Sequence, residues 1–469
     1  MITKSHPIEI RAADLKSALT GLGKLIPRSP SLAVLGCVKV EAVAAQTLRL
    51  TATDLDLTLS IDIPATVEKG LAPFLLPLPN LRALLTGLRA DEVVPLGPSV
   101  KAPPVAEFPE IPQVRTPGLT LPEPLVTSLL RAFACASRDT TRAVLRSACI
   151  DTSGTGEKAH RIVGTNGRHL FSSNSLHLPL KQSVILPDHP LWKWKPLADT
   201  PPWTLRLGKD KHQAEVFRLE SQAWSVTGRL LDGPYPNYRQ VIPRPEQFTT
   251  TVILSEAALE AVTRLLPRLP GKQLANRPIG LHFEKGHFGV LAHAENNEPW
   301  ILHPVDCYEG KGPDLTVFID RDYLAKAAAF GLGRVSLIDG MSPMQFSRGG
   351  DLMIVMPVRA IDADRIDRPR LVPAVEQFAS PAVAVKKSIA PATAEPPIQV
   401  PNKDPLTEAR QQITEADAAL VSARRTLKGM RRSLHSARTQ RSETKRELRG
   451  FRGLIQKLKR TKRDDSKAA

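Results

Sequence analysis

The sequence predicts an α+β protein: three similar units, each of two helices packed on antiparallel sheet, then a linker and a long basic helix. Three observations predict it. One order of elements, an amphipathic helix, a strand–turn–strand and a second helix, occurs three times before residue 360. The composition shifts after Arg359 toward Pro and Ala. A seven-residue apolar grid then runs from Leu406 to Leu458. The length of 469 residues fits about three domains of roughly 150 residues each.

The first helices read as residues 12–26, 122–137 and 254–269. Their apolar side chains recur at helical spacing, as in Leu15, Leu19, Leu22 and Ile26, or Leu259, Val262, Leu265 and Leu266. Ser255 supplies an N-cap for the third. Strand–turn–strand units follow at 48–63, 161–173 and 287–302. Their turns fall at Thr53-Asp54, Asn166-Gly167 and Asn296-Asn297. Second helices are expected over 78–90, 186–198 and 320–331. Residues 352–356 form an apolar run closed by Pro357, which reads as a strand that stops there.

Residues 369–405 hold eight prolines and read as a linker. Beyond it, Leu406, Ile413, Leu420, Leu427, Leu434, Leu448 and Ile455 share one heptad position, broken once by Arg441. Ala409, Ala416, Ala423, Met430, Ala437, Thr444, Phe451 and Leu458 share another. This pattern predicts a coiled coil. Residues 421–469 carry 17 Lys+Arg against 4 Asp+Glu, so its late part is strongly basic.

The net charge of +17 and a pI near 9.9 point to an anionic partner, nucleic acid or an acidic membrane surface. No apolar run reaches the roughly 18 residues of a membrane span. The N-terminus lacks the apolar core of a signal peptide. Cys37, Cys135, Cys149 and Cys307 are scattered without metal-ligand spacing and read as buried thiols of a reducing cytosol.

Catalysis finds little support. There is no phosphate-binding Gly-rich loop and no H-E-x-x-H. Asp54 and Asp56 form a carboxylate pair without a third member, and a turn role fits them better. His282 and His287 flank a Lys285-Gly286 hairpin turn rather than a metal site. No metal and no cofactor are expected. The basic residues of the six helices carry more meaning, since together they suit a surface that tracks phosphates without reading bases. The candidate DNA contacts are Lys24, Arg28, Arg82, Arg138, Arg142, Lys193, Lys195, Arg264 and Arg268. Lys16, Arg89, Arg131, Arg146, Arg321 and Lys326 belong to the same wider set.

Several motifs in order resemble one family. "SLAVLGCVKVEA" with "LRLTATDLDLTLSIDIPA" (31–65) resembles the first domain of the bacterial sliding clamp, the β subunit of DNA polymerase III. "EFPEIP" (107–112) resembles its first junction. "TRAVLRSACID" (141–151) and "GTNGRHLF" (164–171) resemble its second-domain core. "GRLLDGPYPNYRQVIP" (228–243) is similar to its crossing into the third domain, and "LMIVMPVRA" (352–360) to its C-terminal strand. The resemblance covers residues 1–360.

It implies clamp domains at 1–112, 113–243 and 244–360, then a linker at 361–405 and a helical tail at 406–460. It implies a non-enzymatic ring of two head-to-tail chains around duplex DNA. Such a ring tethers the replicative polymerase in the bacterial cytoplasm as a processivity factor. A clamp loader and other peptide-motif proteins are implied partners, and no membrane. The implied peptide pocket has Leu145, Thr165, Gly167, Arg168, His169, Leu170, Pro236 and Val241 on one side. Ile354, Val355, Met356, Pro357, Val358 and Arg359 form the other.

The sequence departs from the family in three places. Arg168-His169 reverses the family's usual His-Arg order, so the two side chains exchange strand faces. Gln240 stands where the family often has a second Arg. Residues 90–112 are roughly fifteen residues shorter than in the family. They have a Pro-rich stretch where members place a hairpin that pairs with the other chain. That departure raises a second reading, a clamp-derived scaffold on DNA that closes no ring. For the tail, DNA contact is the first expectation and pairing of two chains through 406–437 the second, beside an extension without a defined role.

Overall fold

The computed structural model describes residues 7–359, apart from 100, 157, 158 and 294–298. The chain divides into two units, Met1–Pro381 and Ala382–Ala469, and every described residue lies in the first. The expected linker and heptad tail, and the turn at Asn296-Asn297, lie outside the described residues.

The first domain runs β1 (Ile8–Arg11), α1 (Ala12–Leu22), β2 (Cys37–Ala44), β3 (Thr47–Thr53), β4 (Leu57–Pro64), β5 (Thr66–Val67), β6 (Phe74–Pro77), α2 (Leu78–Leu84) and β7 (Val93–Leu96). The second runs β8 (Leu119–Leu121), α3 (Glu123–Cys135), β9 (Ser147–Asp151), β10 (His160–Thr165), β11 (His169–Leu176), β12 (Val184–Pro187), α4 (Lys195–Ala198), β13 (Trp203–Lys209), β14 (Glu215–Glu220) and β15 (Trp224–Arg229). The third runs β16 (Thr250–Leu254), α5 (Glu256–Leu265), β17 (Pro278–Glu284), β18 (His287–Ala292), β19 (Ile301–Val305), β20 (Cys307–Lys311), β21 (Leu315–Asp320), α6 (Arg321–Ala329), β22 (Arg334–Leu337), β23 (Met344–Arg348) and β24 (Asp351–Val355).

Four sheets result. Two span domain boundaries: β6-β2-β3-β4-β15-β14-β13-β8 and β12-β9-β10-β11-β24-β23-β22-β16-β20. Two stay within a domain, β5-β1-β7 in the first and β19-β18-β17-β21 in the third. Every pairing between these strands is antiparallel, so neighbouring domains join by continuing each other's ladders. In strands such as β1, apolar side chains at alternate positions, here Ile8 and Ile10, bury one face.

Turn chemistry fixes the hairpins. Asp54 accepts from the backbone N–H of Asp56 and Leu57, which bears out its reading as a turn residue. Lys285 and Gly286 take positive φ (50° and 84°), as a two-residue hairpin turn requires. Ser255 caps α5 by accepting from Ala258 N.

The helices are shorter than the apolar spacing predicts. The expected 12–26 ends at Leu22 and the expected 78–90 ends at Leu84. The helix expected over 186–198 is replaced by the end of β12, a tight turn at Pro190–Lys193 and one turn of α4. Pro190 and Pro196 cause this, because proline lacks an N–H and is tolerated only in a first helical turn. Each proline therefore starts a new short turn.

The helix pairs of adjacent domains abut. The ring of Trp194, at the start of α4, fills the space beside Gly21 of α1, where a Cβ would lie 2.7 Å from it. Phe330, just past α6, packs edge-on against Phe171 at 5.5 Å and lies under the Arg131 guanidinium of α3. The helices thus form one continuous row, in the order α2, α1, α4, α3, α6, α5.

Candidate partner groove and nucleic-acid face

The ladder that joins the second and third domains sets the groove. Across β11 and β24, Leu170 pairs with Ile354 and Ser172 with Leu352. Val163 of β10 stands opposite Ser172, so Val163, Leu170, Leu352 and Ile354 share one sheet face. His169, Phe171, Met353 and Val355 point to the other face by the same alternation.

On the first face lies a small hydrophobic cluster of Val163, Leu170, Tyr238 and Ile354, with Tyr235, Ile242 and Leu352 packed beside it. The crossing segment of residues 233–243 brings Tyr235, Tyr238 and Ile242 over the sheet. One carboxylate pins that segment. Tyr238 donates its hydroxyl proton to Asp151 Oδ2 at 2.5 Å, and Arg239 Nη2 donates to the same oxygen at 2.9 Å. Burial alone raises the Asp151 pKa. Hydrogen bonds from Ser153 and Tyr238 and the Arg239 charge outweigh it, and Asp151 sits at about 2. Tyr238 is pushed up to about 12 by burial and by its bond to that carboxylate. A cleft of about 380 Å³ lies between this segment and the β9–β12 side of the sheet, lined by Ile185, Pro234, Tyr235 and Pro236 among others.

The hairpin beside the groove is built from the motif at 165–170. Thr165 Oγ1 donates to the His169 carbonyl and accepts from Gly167 N. Asn166 Oδ1 accepts from the backbone N–H of Arg168 and His169. Gly167 has φ +84°, which a side chain would strain. Arg168 is exposed and its carbonyl accepts from Met356 N at 2.9 Å, which extends the ladder past Val355. Beyond Pro357, Val358 N donates to the Phe318 carbonyl. The chain there leaves β11 for the third-domain sheet.

The implied pocket residues therefore divide. Leu170 and Ile354 are buried in the cluster beneath Tyr238, and neither is among the residues lining the cleft. Pro236, Val241 and Met356 are exposed, and Val241 and Met356 are large apolar side chains open to solvent. Val355 lies in the third-domain core, and Val358 packs against Leu291, Trp300, Leu302 and Phe318. Leu145 is buried in the turn Ala143–Leu145 and is not among the side chains of the groove cluster. Arg359 is exposed. Val163, Tyr238, Ile242, Leu352 and Asp151 escaped the sequence reading. The strand alternation through Leu170 and Ile354 carries the signal for Leu352.

His169 faces the helices, as the exchanged Arg-His order implies. Its ring stacks on Tyr323 of α6 at 4.3 Å. Nδ1 lies 2.8 Å from Asn166 Oδ1 and Nε2 lies 3.0 Å from Lys326 Nζ. These neighbours assign the tautomer: Nδ1 donates to Asn166 and Nε2 accepts from the ammonium. Burial, aided by the Lys326 charge, depresses the His169 pKa to about 3.

On the helix row, a groove of about 710 Å³ runs between α1 and α2. Lys16, Lys24, Arg82 and Arg89 stand around it, with Leu19, Leu85 and Leu88 in its walls. Gly23 leaves room for the Arg82 guanidinium, since a Cβ there would lie 2.4 Å from Nη2. Arg28, Arg138, Arg142, Lys193, Lys195, Arg264 and Arg268 are exposed. Arg131, Arg321 and Lys326 have structural roles instead. Arg131 pairs with Asp351 at 2.6 Å, Arg321 donates to the carbonyls of Leu269 and Pro270, and Lys326 is committed to His169. Helical spacing alone does not separate such cations from solvated ones.

Among the described residues no group of three His, Cys, Asp or Glu is placed to hold a metal ion, and no helix is long and apolar enough to cross a membrane.

Sheets continued between domains, with all helices in one row, define the class of the three-domain clamp. The comparisons with known proteins find likeness to bacterial sliding clamps. The chain is 27% identical over 312 residues to the β sliding clamp of Synechococcus elongatus, a match covering 61% of this chain and 80% of the relative. In fold it is similar to the β subunit of DNA polymerase from Streptococcus pyogenes, with a TM-score of 0.62, 18% identity, and 75% of this chain and 100% of that one covered. The DNA polymerase sliding clamp of Bacillus subtilis matches with a TM-score of 0.60 at 17% identity, covering 76% of this chain and 100% of that one. No family model matches the sequence. The resemblance to the bacterial sliding clamp thus holds in sequence and in fold.

Proposed function

We propose that the protein is a DNA sliding clamp, a non-catalytic processivity factor that holds the replicative polymerase on duplex DNA in the bacterial cytoplasm. One observation carries this reading: the unbroken helix row bears exposed cations in all three domains, on a scaffold whose domains join edge to edge. Many separate phosphate contacts without base readout hold a duplex and still let the protein move along it. The sheet grooves leave the opposite face free for partners.

The groove beside the cluster of Leu170 and Ile354 takes a short peptide with hydrophobic anchors. The polymerase, a clamp loader and other proteins carrying such a motif are its ligands. Lys24, Arg28, Arg82, Arg138, Arg142, Lys193, Lys195, Arg264 and Arg268 supply the DNA contacts.

Retention on circular against linearised DNA tests the clamp. A topological clamp stays on circles and is lost from open ends. Equal loss from both overturns the reading. Lys24→Gln with Arg82→Gln lowers the magnitude of the salt slope of DNA binding by about 0.9 for each contact removed.

A further inference from the structure

The helix row carries one feature that phosphate contact leaves unused. The groove of about 710 Å³ between α1 and α2 has apolar walls as well as a basic rim. Ala13, Ser17 and Thr20 are exposed along the α1 wall at i, i+4 and i+7, so three small side chains share one helix face. Leu85 and Leu88 stand on the α2 side, and Leu88 is 39% exposed. Leucine offers nothing to a phosphate, and exposed leucine beside a concave surface marks a site for an apolar occupant.

The other helix pairs close the equivalent space themselves. Phe133 of α3 stacks on Trp192, in the turn before α4, at 4.5 Å. Leu259 and Val262 of α5 share the third-domain core with Leu324 and Ala327 of α6. The lining of the first-domain groove holds no aromatic ring, and it stays open.

The rim fixes the charge of the occupant. Lys16, Lys24, Arg82 and Arg89 surround the groove, and its lining includes no carboxylate. Arg89 pairs with Glu92 at 3.1 Å. Among the described residues, the ion pairs of the first domain do not include Lys16, Lys24 or Arg82. The Arg82 guanidinium reaches across to Gly23, just past α1, and so spans one end of the groove.

We propose that this groove docks an acidic amphipathic helix of a partner protein. Leucine-type side chains of that helix enter between α1 and α2, over Ala13, Ser17 and Thr20, where small residues permit close approach. Its carboxylates flank the apolar stripe and meet Lys16, Lys24 and Arg82. Single-stranded nucleic acid satisfies the rim alone, because its bases stack on aromatic side chains that these walls lack. Lys24 and Arg82 are also proposed duplex contacts, so the docked helix and a duplex exclude each other in the first domain. The docking rests on the groove alone, and the exclusion rests on the clamp reading.

Fluorescence anisotropy on the full chain tests it. The probe is a labelled synthetic helix with Leu at i, i+4, i+7 and i+11 and Glu on both flanks. A control peptide of equal charge has Ser for each Leu. The leucine peptide is expected to bind at least about tenfold more tightly than the control. Leu88→Asp and, separately, Ser17→Tyr are each expected to weaken it at least about tenfold, the first by repulsion and the second by filling the slot. Both positions are exposed, and an unchanged thermal midpoint shows that the fold is intact. Equal binding of the two peptides, or an affinity for the leucine peptide that either variant leaves unaltered, overturns the inference. A single-stranded oligonucleotide that loses affinity in Ser17→Tyr as the peptide does makes nucleic acid the occupant and overturns it too. Duplex DNA is expected to displace the peptide, and co-binding overturns the exclusion. The clamp reading fails separately: a chain that binds the leucine peptide yet is lost equally from circular and linear DNA defeats that reading alone.

Discussion

Leu170 and Ile354 stand directly opposite each other across the β11–β24 ladder, one from the second domain and one from the third. The cluster they share with Val163 and Tyr238 therefore exists only while the two domains share that ladder. Both side chains are almost fully buried, so they are part of the fold itself.

Met356 offers a way to test the groove without breaking that cluster. It follows Ile354 by two residues and is 39% exposed. Met356→Asp places a carboxylate at the groove mouth. Affinity for a peptide with hydrophobic anchors is expected to fall at least about tenfold, or ~1.4 kcal/mol. Fluorescence titration measures this, and an unchanged thermal midpoint shows that the fold is intact. Unaltered affinity would remove Met356 from the binding surface.

The Tyr238–Asp151 bond anchors the crossing segment. Tyr238→Phe removes one hydrogen bond to a charged acceptor, at a cost of about 2 kcal/mol by denaturant titration at pH 7. The sign of the pH effect follows from the depressed carboxyl. Asp151 adds stability above its ordinary value of 3.8 and loses it as pH falls toward 2. The gap between wild type and variant should narrow over that window. A constant gap would mean that the bond does not depend on the ionised form.

Much of this architecture was legible in the sequence, and the exceptions have physical causes. The helix–hairpin–helix order was readable because period-2 and period-3.6 patterns alternate between turn residues such as Asn166-Gly167. The failure at 186–198 came from apolar spacing that ignored Pro190 and Pro196. In the groove, the pocket residues came from the resemblance, which grouped His169 with Leu170 and Ile354; the ladder's alternation puts Leu170 and Ile354 on one face and His169 on the other. Asp151 was invisible because its role depends on Tyr238 and Arg239, 87 and 88 residues away in sequence. Arg131 and Lys326 looked like solvated cations for the same reason, since Asp351 and His169 are distant in sequence.

His169 ties the groove hairpin to α6. Its depressed pKa means that the unfolded chain binds more protons between about 3 and 6.5. The interaction's stability is complete above 6.5 and is lost as pH falls toward 3. Lys326→Met removes the facing cation, so the His169 pKa should rise above 3. Burial is the larger cause, so it should remain below 6.5. The imidazole C2 proton in an NMR titration reports this directly, and an unmoved midpoint would show that burial acts alone.

Gly164 tests how closely α3 lies on the sheet that carries the groove. A Cβ at this position in β10 would lie 1.9 Å from the Ala132 carbonyl oxygen and 2.5 Å from its carbon. Both atoms are backbone of α3, so no side-chain rotation relieves the contact. Gly164→Ala must push helix and sheet apart, and overpacking of this kind costs about 1–3 kcal/mol or more. The displaced helix carries Arg131, whose bond to Asp351 spans the second and third domains, so the junction loosens with it. Urea titration should show a loss of at least about 2 kcal/mol, against little change for Gly97→Ala, whose new methyl meets Pro7 at an ordinary 3.5 Å. Equal effects at the two glycines would show that α3 yields without cost. The helix would then not hold the groove strands in register.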